Sequence, residues 1–262
     1  TQGDDILVGK ILGAAMLGFY QMAYKISNTP ATEISKLLTQ VTFPAYSKLQ
    51  DDLGKLKNAY LKVLKFVSFT TFPLTGLIFI LSPEFTGLFL GEKWMPIVPV
   101  MQALVIAGLL RAIISTTSPI FYSIGKPKVE TRCQVIRFIV LAFFIYPFIL
   151  HYELLGASAA VILSIFISGL FFIFFIVKLT QISLKSVLKE LLIPFINTLA
   201  FVIVIFFIKE GWQGNIWNFL LSCILALAIY VIMSYISDRV LNYGIYSFIK
   251  ENIKLFARGR YN

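Results

Sequence analysis

The chain has 262 residues, 58% of them hydrophobic and only 14% charged, with a mean hydropathy of +0.83. Soluble domains average roughly 45–50% apolar residues, so the composition excludes one and points to a polytopic membrane protein. The net charge of +10 would suit a nucleic-acid binder, but its placement between apolar runs reads as a topology signal, and no nucleic-acid partner is expected. The apolar runs are continuous rather than alternating, which favours helices over a transmembrane barrel. The expected fold class is therefore all-α, a membrane helix bundle of about eight crossings at about 20 residues each.

Residues 6–26 form the first expected crossing, preceded by Asp4 and Asp5. Lys10 snorkels from it, and Gly9, Gly13, Ala14 and Gly18 suit close helix packing. The second, residues 30–49, opens the stretch Thr29 to Leu53 and is oddly polar. Thr29, Glu33, Lys36 and Gln40 recur at i, i+4, i+7 and i+11, the spacing of one helical face, with Thr39 beside them. A central lysine facing lipid costs about 2.5–3.5 kcal/mol, so this face is expected to look into a bundle interior or a water-filled cavity, with Thr29 at the outer surface and Lys48 at the inner one. An amphipathic link, residues 51–60, leads to a third crossing at 61–82 that ends before Pro83, and an apolar run that dips back into the interface follows.

The fourth crossing, residues 96–123, carries Pro96, Pro99 and Pro119 and has Arg111 near its middle. Arg111, Ser115, Ser118 and Tyr122 follow the same i, i+4, i+7, i+11 rule. Crossings are expected at 133–151 and 154–178, the latter with a packing stripe of Gly156, Ala160, Ser164 and Ser168. Two more follow at 191–209 and 215–236. The tail, residues 238–262, alternates apolar and basic positions as a helix lying on an anionic membrane surface would.

Most of the 23 lysines and arginines sit at alternate loop ends: Lys48 to Lys65, Lys126 to Arg137, Lys178 to Lys189, and Arg239 onward. This asymmetry predicts those loops and both ends of the segment in the cytoplasm. The chain starts at Thr1 rather than Met, which suggests a fragment or processed product. Cys133 and Cys223 lie in apolar runs and read as small buried hydrophobes. One histidine, His151, is found, with Glu153 near it, and there is no metal cluster, nucleophile elbow or phosphate-cradling glycine loop. Neither an enzyme nor a cofactor is expected.

Two readings of the intramembrane charge stand side by side. Glu33 and Lys36 form a local pair while Arg111 bonds carbonyls of a proline-broken helix. Alternatively, Lys36 and Arg111 face one cavity that holds an anionic head group, since the planar donor fork of arginine matches phosphate oxygens. The prolines, with Pro73, would then supply hinges.

Four runs carry a resemblance: DDILVGKILGAAMLGFYQMAYKI, VTFPAYSKLQDD, LFLGEKWMPIVPVMQAL and YSIGKPK. Together they resemble the polysaccharide transporters, the Wzx-type oligosaccharide flippases, in the superfamily that holds the lipid II flippases and the MATE exporters. The resemblance implies two six-helix lobes around a central cavity. Residues 1–182 would be the second lobe, 183–237 two additional helices and 238–262 a cytoplasmic tail. It implies a flippase of the cytoplasmic membrane that moves a polyprenyl-pyrophosphate-linked oligosaccharide for cell-surface polysaccharide synthesis. Lys36 and Arg111 would hold the pyrophosphate. Gln40, Thr39, Ser115 and Tyr122 would contact sugar or phosphate oxygens, and Glu33 or Asp5 would couple to an ion gradient. The implied partners are the lipid-linked oligosaccharide, membrane lipids and a glycan polymerase or export machinery. The alternatives are a MATE-like cation antiporter, which the basic interior disfavours, a membrane enzyme of glycan assembly, or a non-transporting scaffold.

Overall fold

The computed structural model describes residues 2–209, 215–241 and 243–244, and among them there are helices and no strands. A short helix α1, Gln2–Leu12, ends at Gly13, whose φ of 89° is a conformation that favours glycine. Helix α2, Ala14–Ser47, then runs 34 residues without a break. At 1.5 Å per residue it is about 51 Å long, well beyond the ~30 Å hydrocarbon core.

This corrects the expected boundary between crossings at 6–26 and 30–49. The chain breaks at Gly13, and Pro30 and Pro44 lie inside α2. Side chains of the same helix also engage its backbone near these prolines. Thr29, Thr32, Ser35, Thr39 and Ser47 each donate a hydroxyl to the carbonyl four residues back. Thr29 therefore lies near the middle of α2 and not at a helix end.

Helix α3, Leu53–Phe85, is capped by Asp52, whose carboxylate accepts from the Lys55 amide at 3.0 Å. It runs through Pro83 to Phe85, three residues past its expected end. A π-helical turn, Thr86–Leu90, and a 3-10 turn, Glu92–Ile97, form the return, with Gly91 at φ 89° between them. The expected fourth crossing is divided. Helix α4, Val98–Ser115, ends in a turn at Thr116–Thr117, and α5, Ser118–Ser123, restarts with proline in its first turn.

Helix α6, Pro127–Thr180, contains Glu153 at φ 49°, ψ −127°. A Cβ on Gly156 would lie 1.9 Å from the Phe148 carbonyl oxygen, so the chain doubles back here into two antiparallel arms. Only glycine allows so tight a reversal. The stripe Gly156, Ala160, Ser164 and Ser168 on the second arm is buried. Helices α7, Leu184–Lys209, and α8, Ile216–Leu241, complete the bundle. Of the expected tail helix, residues 242 and 245–262 lie outside the described residues.

Five helical stretches are long and apolar enough to cross a membrane: 53–90, 92–123, 127–180, 184–209 and 216–241. The third of these is the folded α6 hairpin. Helix α2 has the length but not the hydropathy, because of the polar residues it carries.

Two apolar cores occupy opposite ends of the bundle. One joins Val8, Tyr20, Met101, Leu104, Ile145, Ile149 and Leu154, from α1, α2, α4 and the α6 hairpin. The other, at the end with the basic loops, joins Tyr46, Leu56, Tyr60, Phe121, Cys133, Phe172 and Val187. Between these cores lie a smaller apolar cluster of Ala107, Val161 and Ile165, from α4 and α6, and the polar residues of α2, α4 and α6 that form the site described next.

Helices α7 and α8 pack on α3. Two ion pairs hold them there, Lys65–Glu190 at 3.8 Å and Lys209–Glu84 at 3.3 Å. Tyr230 donates to the Phe69 carbonyl at 2.8 Å. Asn197 ties α7 to α8 through Ser234 and Ser237.

Candidate functional site

Helices α2 and α4 pack closely where Gly108 leaves room for the backbone of Ser27: a Cβ there would lie 3.2 Å from the Ser27 carbonyl oxygen. Ser27 in turn donates to the Met101 carbonyl at 2.9 Å. This pairing sets α2 residues 24–40 opposite α4 residues 108–115. A cavity of about 430 Å³ opens along the seam, lined by Ala31, Thr32, Ser35, Lys36, Thr39, Gln40, Arg111 and Ser115. Five of the six expected binding residues thus meet at one surface: Lys36, Thr39, Gln40, Arg111 and Ser115.

The two cations are held differently. Arg111 donates through Nη1 to the Tyr24 hydroxyl and to Asn28 Oδ1, the latter at 3.0 Å, and its guanidinium lies 5.4 Å from the Tyr24 ring centre. Its Nε and Nη2 are buried and have no hydrogen-bond partner among the described residues. Lys36 instead pairs with Glu33 at 2.8 Å, with side chains 62% and 58% exposed. Ser115 and Ser35 Oγ atoms approach to 3.0 Å across the seam. The local reading holds for Glu33–Lys36. For Arg111 the partners are side chains of α2, not carbonyls of its own helix.

Tyr122 is outside this lining. It is 50% exposed on α5, because the turn at Thr116–Thr117 ends the helical face on which its spacing rests. Asp5 is half-buried on α1. Its neighbour Asp4 is the buried one, and it accepts from the Tyr20 hydroxyl at 3.1 Å. Glu33 stays at the cavity rim through its pair with Lys36.

Sequence reasoning missed Tyr24, Asn28 and Arg137. Tyr24, Asn28 and Ser35 follow the i, i+4, i+11 spacing, a pattern hidden by the boundary expected at 26–30. Arg137 was grouped with the basic loop, yet it is half-buried nearly three turns into α6. It lies within electrostatic reach of Arg111, Tyr24 and Asp4. Gln134 and Arg137 in an otherwise apolar arm were the available signal.

Comparison with known proteins places this geometry. Residues 1–99 match the family described as "Polysaccharide biosynthesis protein". An uncharacterized membrane protein in the cps region of Klebsiella pneumoniae is 27% identical over 237 residues, 90% of this chain and 49% of that protein. The lipopolysaccharide biosynthesis protein WzxC of Escherichia coli is 31% identical over 137 residues, covering 52% of this chain and 28% of its own length. The teichuronic acid biosynthesis protein TuaB of Bacillus subtilis is 27% identical, covering 78% of this chain and 42% of its own length. The chain thus spans about half, or less, of the length of these relatives. In fold it matches the lipid II flippase MurJ in an inward closed conformation, with a TM-score of 0.75, 21% identity, and coverage of 91% of this chain and 50% of that one. The chain is a multi-pass membrane protein related in sequence to bacterial polysaccharide biosynthesis proteins of the Wzx type.

Proposed function

We propose that the protein to which this chain belongs flips a polyprenyl-pyrophosphate-linked oligosaccharide across the cytoplasmic membrane for cell-surface polysaccharide synthesis. The observation that carries this reading is the convergence of Lys36 and Arg111, with the hydroxyls of Ser35, Thr39 and Ser115 and the amide of Gln40, on one open cavity along the α2–α4 seam. Cationic donors suit the pyrophosphate, and hydroxyls and an amide suit sugar oxygens. A net basic lining disfavours an organic-cation cargo. The names of the relatives, WzxC and TuaB among them, agree with a role in glycan assembly.

In this reading α2, α3, α4 together with α5, both arms of α6, α7 and α8 cross the membrane, and the end with the basic loops faces the cytoplasm. Residues 1–182 act as one lobe, against which a second lobe closes the cavity, and 183–237 form an accessory pair. The exposure of Lys36 and Glu33 in this chain supports an open, wet cavity wall in place of a lipid-facing surface. Asp5 and Glu33 are retained as candidates for ion coupling, and a glycan polymerase or export machinery as a partner.

The test is transport by the full-length protein reconstituted in liposomes with a lipid-linked oligosaccharide. Lys36→Gln together with Arg111→Gln should abolish flipping. Undiminished transport by the double variant would remove both residues from the substrate site.

A further inference from the structure

A second cavity, of about 110 Å³, lies between α4, α5 and both arms of α6. Arg111, Ser115, Ser118, Gln134, Arg137 and Ser168 form its polar lining, and Ile114, Ile165 and Phe172 close the rest. It shares Arg111 and Ser115 with the first cavity. A water needs roughly 10–15 Å³ of such space, so the chamber has room for a small ion with a few waters but not for a saccharide.

Two observations bear on what fills it. Among the described residues Arg111 spends only Nη1 on protein acceptors, while its buried Nε and Nη2 have no partner. That pair of nitrogens forms the side-on edge that takes an oxyanion or halide with two parallel N–H donors. Arg137 then brings a second guanidinium into electrostatic reach. Like charges in a low-dielectric interior repel strongly unless an opposite charge joins them. Asp4 acts on Arg137 with the opposite sign, more weakly than Arg111 does. Glu130 lies two turns before Arg137 on the same arm and is engaged by the Gln134 amide at 3.0 Å. The partners that Arg111 does have, Tyr24 and Asn28, are neutral.

We propose that this second cavity binds a small inorganic anion, chloride or free phosphate, between Arg111 and Arg137. The Ser118 hydroxyl and the second amide hydrogen of Gln134 are further donors. The anion offsets the excess positive charge and keeps the Arg111 edge occupied while the first cavity is empty. The proposal stands apart from the transport reading, because it concerns a chamber too small for the lipid-linked substrate.

The experiment is thermal melting of the purified full-length protein in gluconate, titrated with chloride or with phosphate at constant ionic strength. A saturable rise of a few degrees is expected with at least one of the two ions, because a ligand that binds only the folded state stabilises it. The response should survive in Lys36→Gln and vanish in Arg137→Gln. Should Arg137→Gln fail to fold, Arg137→Lys, which keeps the charge and loses the planar fork, should respond with a weakened midpoint. Identical melting of the wild type in gluconate, chloride and phosphate would overturn the proposal. So would a response that Lys36→Gln abolishes and Arg137→Gln retains, since the anion would then occupy the first cavity.

Discussion

Lys36 and Arg111 line the same cavity, but the fold depends on them to different degrees. The Lys36–Glu33 pair joins two side chains that are each more than half exposed, and such pairs contribute about 0–1 kcal/mol. Lys36→Gln should therefore leave the melting temperature near that of the wild type while transport falls. Arg111→Gln removes the donor to Tyr24 and Asn28, and Asn28 is buried. Leaving a buried acceptor unmatched costs about 1–3 kcal/mol, so this variant should melt measurably lower and also lose transport. Equal melting of the two variants would show that Arg111 is not tied into the bundle as described. The face bearing Lys36, Thr39 and Gln40 was legible because helical spacing survives any error in where the helix begins. Tyr24 and Asn28 were not, because a boundary expected at Pro30 assigned them to another crossing. Arg137 was ambiguous for a different reason: a basic residue near a loop serves topology and site chemistry equally well.

At the level of elements, glycine marks the turns at Gly13 and Gly91, while Pro30, Pro44, Pro73, Pro83, Pro147 and Pro194 all lie inside helices. Gly13 ends α1, whereas Pro30 passes inside α2 beside a run of serine and threonine back-bonds. Local pattern reasoning weights proline as a breaker, which is why the first boundary was misplaced while the α6 hairpin, expected between 151 and 154, was placed well. That hairpin supports a strong prediction. A methyl on Gly156 would lie 1.9 Å from the Phe148 oxygen and 2.4 Å from its carbonyl carbon, atoms of the backbone that no rotamer change can move. Overpacking a core typically costs about 1–3 kcal/mol, and a clash with backbone should exceed that. Gly156→Ala should yield protein that inserts poorly or is cleared by proteolysis, seen as loss of the monodisperse peak on size-exclusion chromatography. Ala160→Gly, on the same stripe, removes only a methyl and should keep that peak. A well-folded Gly156→Ala protein would mean that the arms of α6 are not packed as tightly as described.

On the scale of the whole molecule, a polar layer on α2, α4 and α6 lies between two apolar cores, interrupted by the small cluster of Ala107, Val161 and Ile165, and α3 carries the α7–α8 pair through one ion pair near each end. An ordinary soluble bundle reverses this order and places its polar groups outside. Here the outer surface is rich in exposed Phe, Leu, Ile and Val, as a lipid-facing surface must be. The polar layer is then the part that water or substrate reaches, and the proposed orientation can be tested through it. With Cys133 and Cys223 replaced, single cysteines at Lys128, His151 and Thr29 in the full-length protein report three levels of the bundle. Lys128 lies in the first turn of α6 at the basic end, and His151 at the opposite end beside the Glu153 reversal. In intact cells a membrane-impermeant maleimide should label His151→Cys and spare Lys128→Cys, and opened inverted vesicles should reverse that result. Labelling of Lys128→Cys from outside would invert the proposed topology. Thr29→Cys separates the two accounts of α2. A helix that begins at residue 30 puts it at the surface, labelled as fast as His151→Cys. A helix that runs from Ala14 to Ser47 puts it near mid-bundle, where labelling should be slow and should be suppressed further by substrate in the cavity.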